Sequence, residues 1–374
     1  TSSLNLDQAS VQQTGDANRA DYSAEGEYNL FAIRQSGDMN QSDVTVTGAG
    51  NETALDQDGT SNMSNIVQDG DGNDAAGLAK GDGNTNDIAQ DGFGNAALAT
   101  LTGDDNSSTI DQDGNDNAAT DTAFGNGNTL ATTQDGNRNA STNLVSGDDN
   151  DVTVDQGPTA AVWGSFYGFP ILLSPARGGN DNASAAYVNG DDNSVNVGQV
   201  YNRNDSDVEI RGDDNDVNVG QLGTSSAGND SDVWISGAFG GDGNKVDVAQ
   251  DGTNTSDVDI YGDDNTVAVD QEGTNTSTVE ISGLLDGDDN DVSILQDSAG
   301  SRANDSDVEI FGNANGVDVD QQGKNDSDID IVGSSNDVSV AQDNRVTAYL
   351  GTENVSTVDI LGNSNDVYVD QASD

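Results

Sequence analysis

A strict 11-residue period constrains this chain more than any other feature of its sequence. Glycine recurs every 11 residues from Gly15 to Gly147, and an asparagine stands three residues after each of these glycines, from Asn18 to Asn150. Glutamines add a longer period of 22 residues, in two series: Gln13, Gln35 and Gln57, then Gln68, Gln90, Gln112, Gln134 and Gln156. The repeating unit is therefore 22 residues long and consists of two similar arms, which indicates a tandem-repeat fold.

Within each arm the side chains alternate in character. After Asn150, the residues Val152, Val154 and Gln156 alternate with Asp and Thr. A period of two over about six residues, bounded by Gly, Asp and Asn, predicts a β-strand between tight turns. Each 22-residue unit is therefore expected to read strand, turn, strand, turn.

The second half of the chain keeps this pattern with looser spacing, because extra residues fall in the turns, as at Gly237–Gly241 and Gly283–Gly287. One segment, Gly157–Gly178, departs from the pattern and holds all three prolines together with a cluster of aromatic residues. We therefore predict three parts: strict repeats over 1–156, a Pro- and aromatic-rich insertion over 157–178, and looser repeats over 179–374. The insertion is interpreted either as a surface loop folded over a groove or as an adhesive or lateral contact.

The predicted fold is all-β, a β-solenoid of about fifteen stacked strand-turn-strand rungs with two facing parallel sheets. Stacking would align equal positions of successive rungs into columns, and a stacked amide can donate to one neighbour and accept from the other. Because Gln57 and Gln68 are only 11 residues apart, the glutamine column is expected to move to the opposite sheet between them.

The residues predicted to form these columns are the inward glutamines and the asparagines that open the arms. The glutamines are Gln13, Gln35, Gln57, Gln68, Gln90, Gln112, Gln134, Gln156, Gln199, Gln221, Gln250, Gln271, Gln296, Gln321, Gln342 and Gln371. The asparagines are Asn18, Asn40, Asn62, Asn84, Asn106, Asn128, Asn150, Asn193, Asn215, Asn265, Asn336 and Asn365.

Composition excludes several classes of function. With no His and no Cys, the chain has no imidazole base, thiol nucleophile, disulfide or zinc site of the usual kind. Eleven Lys and Arg against 68 Asp and Glu give a net charge of −57, which repels nucleic acid and anionic membranes. No apolar run approaches the ~18 residues of a membrane span, so we expect no membrane insertion. The chain begins at Thr1 without a basic-then-apolar leader, and we expect any signal peptide to have been removed.

The outward positions are expected to be mostly Asp, and paired aspartates recur in the turns. Two interpretations of the turn acids stay open: a solvated acidic surface, or weak Ca²⁺ binding by Asp oxygens and turn carbonyls. The candidates for weak Ca²⁺ binding are Asp104, Asp105, Asp148, Asp149, Asp213, Asp214, Asp263 and Asp264. A catalytic pair of carboxylates is expected to occur once in a chain, whereas these aspartates recur with the repeat. No catalytic residue and no enzymatic activity are therefore predicted.

The motif Gln-x-Gly-x-x-Asn-x-(Ala/Ser) resembles the curlin repeat of curli-type amyloid fibres. It occurs in this chain as Gln13-Gly15-Asn18-Ala20, Gln35-Gly37-Asn40-Ser42, Gln112-Gly114-Asn117-Ala119 and Gln134-Gly136-Asn139-Ser141. The resemblance implies a secreted subunit of a functional amyloid in the extracellular biofilm matrix, with a role in adhesion. It also implies an outer-membrane secretion pore and a nucleator as partners, and we expect the main partner to be another copy of the chain. No cofactor is expected other than the weakly bound Ca²⁺ left open above.

Two functions are therefore carried forward. In the first, the chain polymerises end to end, since neither end shows an amphipathic helix that would cap a solenoid. In the second, it is a monomeric acidic β-solenoid module of a cation-binding surface adhesin. A thioflavin-positive filament favours the first, and a stable monomer at high concentration favours the second.

Overall fold

The computed structural model describes residues 7–157, 165–166, 169–170, 179–223, 228–236, 241–282, 287–298, 303–344 and 353–372. The chain divides into two compact units, Thr1–Asp191 and Asp192–Asp374. No helix of a length and apolarity that could cross a membrane occurs among the described residues.

Unit 1 consists of strands joined by tight turns. In chain order these are β1 Gln8–Thr14, β2 Arg19–Glu27, β3 Leu30–Ser36, β4 Gln41–Ala49, β5 Glu52–Asp58, β6 Met63–Asp71, β7 Asp74–Lys80, β8 Thr85–Phe93, β9 Ala96–Thr102, β10 Ser107–Asn115, β11 Ala118–Phe124, β12 Thr129–Asn137, β13 Ala140–Ser146, β14 Asp151–Gln156, β15 Ser165–Phe166, β16 Phe169–Pro170, β17 Gly179–Asn180 and β18 Ala183–Asn189.

Two parallel sheets form unit 1. One runs β1-β3-β5-β7-β9-β11-β13-β18 and the other β2-β4-β6-β8-β10-β12-β14, with β17 pairing β12. Each strand therefore pairs with the equivalent strand of the next rung, and the pairing keeps the repeat in register, as in Gln112 opposite Gln134 and Gly114 opposite Gly136.

Unit 2 follows the same plan. Its strands are β19 Ser194–Val200, β20 Asp205–Arg211, β21 Asp216–Gly223, β22 Asp230–Ser236, β23 Lys245–Gly252, β24 Thr255–Ile260, β25 Thr266–Gly273, β26 Asn275–Ser282, β27 Asp291–Asp297, β28 Asn304–Phe311, β29 Gly316–Gly323, β30 Asn325–Val332, β31 Asp337–Asn344, β32 Asn354–Leu361 and β33 Asp366–Ala372. The even-numbered strands β20 to β32 form one parallel sheet and the odd-numbered strands β19 to β33 form the other.

The core of each unit is a narrow layer between its two sheets, filled by the inward half of every strand. In β14 the inward Val152, Val154 and Gln156 are fully buried, and in β24 the inward Ser256, Val258 and Ile260 are buried. Branched aliphatic side chains suit this position because they pack well on a pleated surface.

Glycine is required where the turns of successive rungs touch. Gly103 has φ 119, a conformation that other residues rarely adopt, and a Cβ atom built there would lie 1.9 Å from the carbonyl oxygen of Gly125 in the next rung. The 11-residue glycine period therefore reflects close backbone approach at every turn.

The prediction of an all-β solenoid with two facing parallel sheets is confirmed, with about 14–15 turns in the chain. The three-part division remains a prediction. Most of the insertion at 157–178 lies outside the described residues, which there include only Gly157 and the short antiparallel pair of β15 with β16.

Candidate functional site: amide columns and outer rungs

The inward glutamines lie in hydrogen-bonded columns. In each column the Nε2 atom of one glutamine donates to the Oε1 atom of the glutamine in the next rung, over 2.6 Å from Gln13 to Gln35 and 2.8 Å from Gln35 to Gln57. A second column in unit 1 joins Gln68, Gln90, Gln112, Gln134 and Gln156. The column of unit 2 joins Gln199, Gln221, Gln250, Gln271, Gln296, Gln321, Gln342 and Gln371.

The glutamine column changes sheet inside unit 1. Gln57 on β5 pairs in register with Ala79 on β7, whereas Gln68 on β6 pairs with Val46 on β4 and then with Gln90 on β8. A rung can therefore stack on one whose glutamine lies on the other sheet, provided that the facing position holds an aliphatic side chain.

Each column has a direction, because all the glutamines donate the same way along the stack. The other Nε2 hydrogen donates across the core to a backbone carbonyl at the start of the facing strand, as from Gln112 to Ala96 at 3.0 Å and from Gln221 to Asp205 at 2.7 Å. The buried amides are thus paired within the core, so these polar groups can be buried without a large desolvation cost.

Asparagine columns run along the corners of the solenoid, beside the turns. Asn84 is fully buried; its backbone N–H and its Nδ2 atom donate to the Oδ1 atom of Asn62 at 3.0 and 3.2 Å. The same Nδ2 atom also donates to the carbonyl oxygen of Gly103 at 2.7 Å. This arrangement joins the turns of successive rungs and explains why Asn follows each Gly by three residues.

The structure places all the predicted asparagines in this type of column. One column joins Asn18, Asn40, Asn62, Asn84, Asn106, Asn128 and Asn150. In unit 2 the column contains three members that the predicted set lacks, in the order Asn193, Asn215, Asn244, Asn265, Asn290, Asn315, Asn336 and Asn365.

A further asparagine column occupies the opposite corner of each unit. It contains Asn29, Asn51, Asn73, Asn95, Asn117, Asn139 and Asn182 in unit 1, and Asn204, Asn229, Asn254, Asn275, Asn304, Asn325 and Asn354 in unit 2. Every one of these residues opens an arm, so the sequence signal that would have included them is the asparagine at the start of each arm.

The turn aspartates proposed as weak Ca²⁺ ligands lie at two kinds of position. The first Asp of a turn accepts a backbone hydrogen bond from the neighbouring rung, as when the Oδ1 atom of Asp104 accepts the N–H of Asp82 at 2.9 Å and that of Asp148 accepts the N–H of Asn126 at 2.7 Å. The second Asp has a left-handed backbone, with φ between 56 and 58 at Asp105, Asp149, Asp214 and Asp264. Asp213 and Asp263 hold the first position in unit 2. No group of three or more acidic residues that could hold a metal ion occurs in the described parts of the chain.

Sequence reasoning missed a buried carboxyl group in the core of unit 1. Asp121 on β11 is fully buried and accepts hydrogen bonds from the Oγ atom of Ser108 at 3.0 Å, the Oγ1 atom of Thr132 at 2.9 Å and the Nδ2 atom of Asn143 at 2.8 Å. Burial raises the pKa of Asp121 from 3.8 to about 6, although these three donors act in the opposite direction. The sequence did contain a signal for this buried carboxyl group, since Asp121 stands four residues after Asn117, at a position where the side chain faces inward.

The outer rungs expose side chains that are buried elsewhere. On β1, Val11 is 43% exposed although its register partner Ile33 is 2% exposed; on β2, Tyr22 is 53% exposed although its partner Val44 is fully buried. Among the described residues, β1 pairs only with β3 and β2 only with β4, while β32 pairs only with β30 and β33 only with β31. These four strands carry backbone donors and acceptors suited to another parallel strand.

Comparison with protein-family models identifies two segments of the chain, residues 81–114 and 190–223, as matches to the curlin associated repeat. A comparison with curated proteins gives no match. The first matched segment lies in unit 1 and the second almost entirely in unit 2. The resemblance predicted from the Gln-x-Gly-x-x-Asn motifs is confirmed by these two matches.

Proposed function

We propose that the chain is a secreted structural subunit that self-assembles end to end into a curli-like functional amyloid fibre of the extracellular biofilm matrix, where it also supports adhesion. The partner is another copy of the chain, with a nucleator and a secretion pore as expected accessory partners, and no enzymatic activity is proposed. The curlin associated repeats support this function.

The observation that carries the proposal is the combination of in-register stacking with exposed outer rungs. Within each unit every rung pairs with its own repeat, so a rung is a template for another rung of the same sequence pattern. Val11 and Tyr22 show that this template has an exposed inward face at β1 and β2. Because the glutamine amides all donate in one direction, a copy added in the same direction continues the polarity of the stack.

Stacking another copy on β1 and β2 would also repeat a contact that unit 1 already contains. The change of sheet between Gln57 and Gln68 shows that glutamine and aliphatic positions can face each other across a rung boundary. Because Val11 and Tyr22 are already about half buried, covering them would then contribute only part of the about 1.5–3 kcal/mol expected when a fully exposed apolar side chain is buried.

Two neighbouring residues of β1 give a direct test. Val11 faces inward and becomes buried if a copy stacks on β1, whereas Gln12 faces outward and stays in solvent. Val11→Lys places a charge in the new core and should slow filament growth at least tenfold, because a buried unpaired charge is costly. Gln12→Lys changes the net charge equally and should leave growth as in the parent chain.

Thioflavin fluorescence and electron microscopy measure both the growth rate and the filament end point. Equal growth of the two variants would show that β1 is not the stacking surface. A parent chain that stays monomeric at high concentration would overturn end-to-end assembly and favour the monomeric adhesin module.

A further inference from the structure

We infer that one outer face of unit 1 is a lateral docking surface for the same face of a second copy of this chain, so that filaments associate side by side. The surface, called the uncharged face, consists of the outward side chains of β9, β11, β13 and β18. This inference rests on the proposed fibre and identifies a second contact of that fibre, separate from the end-to-end one.

The uncharged face carries no Asp, Glu, Lys or Arg at any outward position of its four described strands. Its rows, read across the four strands in register, are Ala96, Ala118, Ala140 and Ala183; Leu98, Thr120, Thr142 and Ala185; Thr100, Thr122, Leu144 and Tyr187; and Thr102, Phe124, Ser146 and Asn189. Leu98, Leu144, Phe124 and Tyr187 are 36%, 37%, 46% and 42% exposed. In a chain with a net charge of −57, such a surface is exceptional.

Many of the equivalent positions on other strands are acidic. On β20 of unit 2 the outward residues include Asp205, Asp207 and Glu209, and on the other sheet of unit 1 the outward residues of β10 include Asp111 and Asp113. The prediction that outward positions are mostly Asp is therefore wrong for the uncharged face.

The distribution of charge favours a second copy of the chain as the partner at the uncharged face. Two copies that approach through any acidic face bring carboxylates within the Debye length, about 8 Å at physiological ionic strength. Through the uncharged face they can approach to the ~10 Å spacing of packed sheets without placing carboxylates of the two faces against each other. Small Ala and Thr side chains with a few larger apolar groups also suit the close interdigitation of such sheets.

The area of the uncharged face determines whether it can hold two free copies together or only two filaments. Four strands spaced ~4.8 Å apart and seven residues at ~3.3 Å each give a face of about 440 Å². A stable pairwise interface needs about 800 Å² from each partner. The contact is therefore too small to hold two free copies together, but its energy adds along two filaments in which many copies are already connected.

A pair of double variants isolates the face. Thr120 and Thr142 are register neighbours on the uncharged face, at the third position after the opening asparagine, where Asp207 stands on β20. Thr120→Asp with Thr142→Asp therefore introduces two charges that the fold accommodates elsewhere. The matched control is Thr109→Asp with Ala131→Asp, the same register pair on the other sheet of unit 1.

Electron microscopy and low-speed sedimentation measure bundling, and thioflavin fluorescence measures filament growth separately. We expect the face variant to grow as the control does but to remain as single filaments, with at least a tenfold loss of sedimenting bundles. Bundles of the face variant equal to those of the parent, or an equal loss in the control, would overturn the inference.

A second measurement decides the inference even if the chain forms no filaments. The osmotic second virial coefficient of the monomeric chain, from static light scattering, should be more repulsive for the face variant than for the control, although both carry the same net charge. Equal coefficients would overturn the inference. A lower urea midpoint for the face variant alone, with bundling and virial coefficient unchanged, would show that residues of the same chain cover the face and would also overturn it.

Discussion

Asp121 occupies a core position that other rungs fill with smaller or neutral side chains. Its register partners on the neighbouring strands are Ala99 and Asn143, and the carboxyl group is held by Ser108, Thr132 and Asn143. No other inward residue of β9 to β13 is titratable, so the ionisation of Asp121 is governed by burial and by these neutral donors.

Protonation of Asp121 is expected to make unit 1 more stable in mild acid than at neutral pH. The folded pKa of about 6 lies above the ordinary value of 3.8, so the folded chain binds the proton more tightly than the unfolded chain. Stability from this group is fully present below about pH 4, falls as the pH rises towards 6, and is lost above that; the difference corresponds to about 3 kcal/mol.

The substitution Asp121→Asn should remove this dependence and raise the urea midpoint at pH 7, while changing little near pH 4. The measurement is urea unfolding of the monomeric chain across this pH range, with the exposed Asp91→Asn as a control of equal charge. A pH profile for Asp121→Asn that parallels the control would contradict the account of this carboxyl group.

Asn86 is a second residue that departs from the repeat. It is fully buried on β8, and neither its Oδ1 nor its Nδ2 atom has a hydrogen-bond partner among the described residues. Asn86→Val, the side chain at the equivalent Val152, should therefore raise stability by about 1–3 kcal/mol, the usual cost of an unpaired buried polar group. Asn84→Val removes a fully paired amide two residues away and should lower stability. Urea midpoints that fall in both variants would contradict the distinction.

The sequence sufficed to predict Asn84 and was insufficient for the roles of Asn86 and Asp121. Asn84 repeats with the period, so its column could be inferred from spacing alone. Asn86 and Asp121 each occur once at their position in the repeat. The partners of Asp121 come from β10, β12 and β13, which only the packed core brings together, and the side chain of Asn86 has no partner among the described residues.

At the scale of the strands, the serine two residues after the opening asparagine is hydrogen-bonded in some rungs and unpaired in others. Ser42 in unit 1 accepts a hydrogen bond from the Nε2 atom of Gln35 at 2.8 Å and donates to the Oε1 atom of Gln57 at 3.1 Å. Ser306 in unit 2 is equally buried, but its Oγ atom has no partner in the described part of the chain.

The two serines predict opposite outcomes for the same substitution. Ser42→Ala leaves glutamine hydrogen-bonding groups unpaired and should cost about 1 kcal/mol, whereas Ser306→Ala removes an unpaired hydroxyl and should be neutral or stabilising. Hydrogen exchange of the strands around each serine measures the effect in its own unit. Equal loss of protection at both sites would mean that the serine hydroxyls have the same environment.

Strand positions and parallel pairing followed from period and alternation, since equal spacing forces equal positions into register. The distribution of charge between faces did not follow, because the outward residues vary from strand to strand and the period does not fix them. Only the separation of the strands into sheets reveals that the outward residues of β9, β11, β13 and β18 are uncharged while those of β20 are acidic.

Across the whole molecule, the excess of carboxylates opposes association, and salt should relieve it. Many outward aspartates have a pKa raised by burial and by neighbouring carboxylates; for Asp155 it reaches about 6 through burial and Asp135. We expect added NaCl to speed filament growth by screening this repulsion. At matched ionic strength CaCl₂ should give the same rate, since the described residues hold no group of three acids that could hold a metal. Faster growth in CaCl₂ would instead support the calcium interpretation of the paired turn aspartates.

The central claim is that the stacking seen within each unit continues between copies of the chain. Cryo-electron microscopy of filaments, at a resolution that separates strands, tests this most directly. The account predicts rungs spaced ~4.8 Å apart along the filament axis, with β1 and β2 of one copy hydrogen-bonded to strands of the next. Filaments in which β1 and β2 remain exposed to solvent, with copies joined through another surface, would contradict it.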